Sequence, residues 1–160
     1  MTGDLEIPDP LFECIDHVGV AVPDLDAAIA FYERCFGMSV THRETNQDQG
    51  VREAMLAPGR PGRPGSPGDP VVGDARVQLL APLDASSTIA RFLDRSGPGL
   101  QQVAYRVRDV DAVSAVLRER GLRLLYDEPR RGTAGSRVNF VHPKDAGGVL
   151  VELVEPARAG

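Results

Sequence analysis

Apolar and polar positions along this chain fall into short blocks, and the blocks form two matching sets. Cys14 to Val22 is rich in apolar residues and reads as a strand that Pro23-Asp24 brings to an end. Asp24 or Asp26 then caps a helix, since Ala28, Ile29, Phe31, Tyr32 and Phe36 recur at helical spacing and Gly37 stops it. Ser39 to Arg43, Val51 to Leu56 and Arg76 to Leu80 read as three further strands. The plan then repeats. Gln101 to Val107 is a strand, and Asp109 or Asp111 caps a helix that runs through Arg120 and ends at Gly121. Leu122 to Tyr126, Arg137 to His142 and Val149 to Val154 supply three more strands, and a short helix around Ser87 to Leu93 precedes the link between the sets.

The repetition extends to residue identity. Val18/Val103, Val22/Val107, Asp24/Asp109, Asp26/Asp111, Ala27/Ala112 and Ala30/Ala115 match at one fixed offset, and Val77-Gln-Leu-Leu-Ala-Pro82 matches Val151-Glu-Leu-Val-Glu-Pro156. The fold expected is α+β: two tandem βαβββ modules, residues 12–84 and 99–156, forming one curved mixed sheet around a central cavity. One segment breaks the symmetry, the Pro/Gly-rich stretch 58–70, which is expected to be an inserted loop between strands.

Composition adds bounds. A chain of 160 residues with 42% hydrophobic and 26% charged residues is one globular domain's worth of sequence. Its net charge of -5 offers no basic field for nucleic acid, which is not expected as a partner. No apolar run approaches the roughly 20 residues of a membrane span, and the first residues lack the pattern of a signal peptide. Cys14 and Cys35 show no metal or redox spacing and read as free thiols, so a cytoplasmic location is expected.

Four polar residues occupy equivalent places in the two modules: His17, Gln78, Gln102 and Glu152. Gln78 and Glu152 are flanked by apolar neighbours, so strand alternation turns each to the face opposite those neighbours. A buried carboxylate and amide need a partner or a cation. Together the four would form an oxygen-rich site with one imidazole, suited to a divalent ion such as Mg, Mn, Co or Ni. A buried hydrogen-bond network without metal is the competing reading. Glu53, on an apolar strand, is a candidate base if that strand lines the same cavity. Arg130, Arg131, Arg137 and Lys144 surround the turn Gly132-Thr-Ala-Gly-Ser136, a place to hold a carboxylate or phosphate. His42 and His142 read as structural.

These residues carry a resemblance. Ile15-Asp-His-Val-Gly-Val20, Gln49-Gly-Val-Arg-Glu-Ala-Met-Leu56, Val77-Gln-Leu-Leu80, Leu125-Tyr-Asp-Glu-Pro129, Gly135-Ser-Arg-Val-Asn-Phe-Val-His-Pro-Lys144 and Gly148-Val-Leu-Val-Glu-Leu153 appear in order. The chain resembles the vicinal oxygen chelate superfamily, which includes glyoxalase I, extradiol dioxygenases and bleomycin-resistance proteins, and within it the methylmalonyl-CoA epimerases. The resemblance implies His17, Gln78 and Glu152 as metal ligands, Glu53 as catalytic base, and Ser136, Arg137 and Lys144 on an acyl-CoA substrate. Position 102 would complete the ligands, but the family's Gly-x-His-His reads Gly99-Leu-Gln-Gln102 here, so weaker metal binding is expected. A homodimer is implied. Two other functions are open: a diverged isomerase or cyclase, for instance in polyketide metabolism, and a metal-free small-molecule-binding protein.

Overall fold

The computed structural model describes residues 11–58 and 75–158. Eight strands form one curled mixed sheet: β1 (Cys14–Ala21), β2 (Met38–Asn46), β3 (Val51–Pro58), β4 (Arg76–Pro82), β5 (Gly99–Arg106), β6 (Arg130–Arg131), β7 (Arg137–Val141) and β8 (Val151–Glu155). Three α-helices accompany them among the described residues: α1 (Leu25–Phe36), α2 (Thr88–Ser96) and α3 (Val110–Glu119). The strand order is β2-β3-β4-β1-β5-β8-β7-β6, so each βαβββ half contributes four neighbouring strands in mirrored order. β1 pairs in parallel with β4, and β5 with β8. The halves join where β1 and β5 run antiparallel. There Val18 pairs with Val103, its own repeat counterpart, so the pseudo-twofold axis passes between them. The α+β architecture is the one expected from the repeat.

Local signals act as their chemistry dictates. Asp24 and Asp109 are the N-caps of α1 and α3, accepting from the backbone N–H of Ala27 and Ala112. Gly37 closes α1 at φ 64°, a left-handed conformation that glycine adopts without penalty from a Cβ. Both helices cover the same face of the sheet. Leu25 and Ile29 of α1 pack on Ala54, Leu56, Leu79 and Ala81, whereas Val110, Val113 and Leu117 of α3 pack on Val141 and Leu153. Alternation then sends Glu53, Gln78 and Glu152 to the opposite, concave face. α2 closes one end of that face with Ile89 against Ala21, Val51 and Leu80.

The second half departs from the expected pattern in one place. Leu122 to Tyr126 is not a full strand: it runs beside β7 with one bridge, Leu124 to Val141, and the fourth strand of this half is the two-residue β6 instead. Asn139 explains the interruption. Its fully buried side-chain amide donates to the carbonyl of Tyr126 and accepts from the Tyr126 N–H, so a side chain satisfies the groups a partner strand would. The Pro/Gly-rich stretch expected as a loop follows Pro58 at the end of β3, and its residues 59–70 lie outside the described residues. Cys14 and Cys35 are free and exposed. No helix among the described residues is long and apolar enough to cross a membrane. Asn139→Ala, which strands both Tyr126 groups, is expected to lower stability by about 1–3 kcal/mol in urea denaturation with little change in m-value.

Candidate active site

Two rows of side chains cross the seam between the halves. In the first row Gln78 of β4, Gly19 of β1 and Gln102 of β5 are successive register partners. In the second, His17 of β1, Ala104 of β5 and Glu152 of β8 are. The rows are related by the pseudo-twofold, and each has a small residue in the middle. Neighbouring strands lie about 4.8 Å apart, so residues two strands apart meet only if the middle position leaves the space open. Gln102 uses that space. Its Nε2 reaches over Gly19 to donate to Gln78 Oε1 at 3.0 Å, and donates to Glu152 Oε2 at 2.7 Å. A Cβ added at Gly19 would lie 2.5 Å from Gln102 Cγ, so the glycine is required by packing. Across Ala104, Glu152 Oε2 comes 3.2 Å from His17 Nε2, although that nitrogen makes no hydrogen bond. All four residues are buried.

Glu53 joins this nest from β3. Its Oε2 accepts from Gln78 Nε2 at 2.9 Å and its Oε1 from the Thr133 hydroxyl at 2.6 Å. Burial pushes the Glu53 carboxyl up to about 7; the Thr133 hydrogen bond opposes the rise, while the charges of Glu44 and Glu152 add to it. Glu44 faces Glu53 directly across the β2–β3 ladder. Burial opposes its ionisation too, but hydrogen bonding with His42 and the backbone N–H of Ala134 holds its carboxyl below the usual value. Thr133 is delivered by a turn of the second half that folds over the first. Ala134 sits in the left-handed region at φ 54°, which costs a residue with a Cβ about 1–3 kcal/mol, offset by the bonds this turn makes to Glu44, Glu53 and Gln78.

Asp16 anchors the imidazole. It is the extra residue of a bulge in β1 opposite β5, which turns it and His17 inward together. The Nδ1–H of His17 donates to Asp16 Oδ1 at 2.8 Å, and Arg76 and Arg106 bind the same carboxylate at 2.9 Å each. Burial opposes the charge of Asp16, but these partners hold its carboxyl well below the usual range. Burial likewise opposes the imidazolium of His17, yet Asp16 and Glu152 outweigh it and raise its pKa to about 9. With Nδ1 committed to Asp16, Nε2 is the nitrogen turned to the nest.

The nest lies between two cavities. The larger, about 300 Å³, is lined by Val51, Leu80, Gln102, Tyr126, Arg130 and Phe140 among others. The smaller, about 250 Å³, is lined by Asp16, His17, His42, Met55, Thr133 and Ser136 among others. The structure thus brings together five of the residues singled out in the sequence, His17, Glu53, Gln78, Gln102 and Glu152, and sets Ser136 on a cavity wall. Arg137 instead pairs with Asp111 and Glu155, and neither it nor Lys144 lines these two cavities. Arg130 does line one, stacked on Tyr126 with its guanidinium carbon 3.9 Å from the ring centre. Sequence spacing does not single out Asp16, Glu44 or Thr133. Asp16 leaves one signal, two consecutive polar residues in an apolar strand, whereas Thr133 is brought in by a turn that no local pattern places.

Residues 16–140 match the family described as the Glyoxalase/Bleomycin resistance protein/Dioxygenase superfamily. The chain is 36% identical over 141 residues to an ethylmalonyl-CoA/methylmalonyl-CoA epimerase of Cereibacter sphaeroides, covering 87% of this chain and 95% of that protein. The crystal structure of methylmalonyl-CoA epimerase from Mycobacterium tuberculosis superposes with a TM-score of 0.82 at 56% identity, covering 92% of this chain and 91% of that one. A variant of the Streptomyces coelicolor methylmalonyl-CoA epimerase in complex with 2-nitronate-propionyl-CoA gives 0.82 at 44% identity, covering 92% and 99%. The chain belongs to this superfamily and, within it, to the methylmalonyl-CoA epimerase family.

The packing at Gly19 yields a test. Gly19→Ala is expected to destabilise the protein by about 1–3 kcal/mol in urea denaturation, because the methyl group overlaps Gln102. In a Gln102→Ala background the same change should cost much less, a coupling that a double-mutant cycle measures.

Proposed function

We propose that this protein is an epimerase that interconverts the stereoisomers of methylmalonyl-CoA or a close 2-substituted malonyl-CoA. The observation that carries the reading is Glu53, a buried carboxyl raised to about 7 and held at the edge of the His17–Gln78–Gln102–Glu152 nest. A base with a pKa near neutrality can take a proton from carbon and return it without a large mismatch in either direction. The Streptomyces coelicolor relative binds a 2-nitronate-propionyl-CoA. A nitronate is planar and anionic, as is the enolate formed when the α-carbon of a malonyl thioester loses its proton.

In this reading the carboxylate and thioester oxygens of the substrate face the nest, and Glu53 removes the α-proton. The C–H electron pair moves into the enolate, and a proton returns to the same carbon from the opposite face. Glu53 and Glu152 stand at the two ends of one hydrogen-bonded chain through Gln78 and Gln102, and Glu152 is the carboxyl we assign to the second face. Arg130, at the wall of the larger cavity, is the cation positioned for the anionic CoA arm, and Ser136 is a hydroxyl available from the smaller one. Val51, Leu80 and Phe140 supply an apolar wall beside the nest.

A divalent ion suits this donor set. Among the described residues no cluster of three or more His, Cys, Asp or Glu is arranged to hold a metal, so an ion must rely on the glutamine amides as well. His17 Nε2, buried without a hydrogen bond, would contribute nitrogen, while Gln78 and Glu152 would contribute oxygen; Gln102, whose amide nitrogen faces them, would do so only with that amide turned over. When bound, such an ion supplies Lewis-acid stabilisation of negative charge on the substrate oxygens. Mg, Mn, Co and Ni all accept such a set, and binding must displace any proton on His17 Nε2.

The test is deuterium incorporation at the α-carbon of methylmalonyl-CoA in heavy water. Exchange is expected with the wild type; none under any metal condition defeats the reading. Glu53→Gln should slow exchange by about 10²–10⁴-fold. Because the active form of Glu53 is its carboxylate, and burial raises its pKa to about 7, the exchange rate should rise with pH through that value and level off above it. The same burial has a sign for stability. A carboxyl easier to protonate when folded costs stability as pH rises from the ordinary glutamate range through about 7, so Glu53→Gln should raise the melting temperature at pH 8 more than at pH 5.

A further inference from the structure

Gln102 is held where a cation would have to sit, and by the wrong end of its amide. Its Nε2 spends both hydrogens inside the nest, on Gln78 Oε1 at 3.0 Å and on Glu152 Oε2 at 2.7 Å. Those two oxygens are the ones a hard cation needs, and an amide nitrogen, with its lone pair delocalised into the carbonyl, is no ligand. The placement is enforced from below, since the side chain lies flat on Gly19 with its Cγ, Cδ and Nε2 all within about 3.0 Å of where a Cβ would be. It is also enforced from the sides. Were the amide turned to present Oε1, three buried oxygens from Gln78, Gln102 and Glu152 would face one another without the two hydrogen bonds that Nε2 now donates. A cation resolves that arrangement.

We infer that the Gln102 amide is an internal competitor of the divalent ion for Gln78 Oε1 and Glu152 Oε2, so that the nest alternates between an amide-closed and a cation-bound state. The inference rests on the metal-assisted epimerase reading above and gives position 102 a role that reading leaves open. Two consequences separate a competitor from an ordinary fourth ligand. Loss of a ligand weakens a site, whereas loss of a competitor strengthens it. Breaking two buried hydrogen bonds, one of them to a carboxylate, before an ion can enter lowers its apparent affinity by at least about tenfold.

The experiment is titration of the full chain with Mn²⁺, following the electron paramagnetic resonance signal of the free ion. Wild type, Gln102→Ala and Gln102→Leu are compared, the leucine variant keeping the bulk over Gly19 while removing both donors. Circular dichroism establishes that each is folded. The expected result is that at least one of the two variants binds Mn²⁺ about tenfold more tightly than the wild type. Glu152→Gln in the same background should abolish that binding, which ties the ion to the nest. Gln102→His, which brings a ligand and removes the competing donors, should bind more tightly still. Weaker Mn²⁺ binding by both Gln102→Ala and Gln102→Leu than by the wild type would make Gln102 an ordinary ligand and overturn the inference. Absence of binding in all four proteins that keep Glu152 would overturn it as well. Neither result touches the epimerase reading, which stands or falls on α-proton exchange by the wild type.

Discussion

Two small residues at the seam govern the site. Gly19 and Ala104 occupy equivalent places on β1 and β5, and each is the middle of a row whose ends carry the polar side chains. With larger residues there, Gln102 could not lie across to Gln78, nor Glu152 come within reach of His17. The antiparallel pairing of β1 with β5 sets the two rows side by side. The helices on the other face contribute by filling that face with apolar packing, which leaves the polar positions no other side to occupy.

The backbone is symmetric but the chemistry is not. Gln102 is the repeat counterpart of His17, and Glu152 that of Gln78, so both pairs place unlike groups at like positions. Glu53 has no counterpart at all: the register that sets it opposite Leu80 sets Val138 opposite Val154 in the other half. This buried carboxyl thus stands on one side of the axis only. The Thr133 turn crosses from the second half to hold it, and Asp16 with its two arginines fixes the imidazole from below. Duplication built the cavity, and divergence within it made the two faces different.

Much of this was legible in the sequence because strands and helices have short periods. The caps Asp24 and Asp109, the stop at Gly37 and the inward side of Gln78 and Glu152 follow from spacing alone. Leu122 to Tyr126 shows the limit: its apolar content suits a strand and it shares backbone hydrogen bonds with β7 at Arg123 and Leu125, but at Tyr126 the Asn139 amide takes the place of a partner strand. Arg137 shows what spacing leaves out: Asp111 and Glu155 reach it from other elements and pair with it. Periodicity assigns a residue its face, while the company it keeps there is decided by tertiary contacts.

Gly19 has a consequence for how such a site can change. A glycine under residue 102 makes room for a planar side chain lying flat, and both glutamine and histidine are planar at their ends. Their codons differ only in the third base. The frame that holds the centre can therefore remain fixed while a single nucleotide change exchanges an amide for an imidazole, so the donor chemistry of the nest is open to heritable change at one position without any rebuilding of the fold around it.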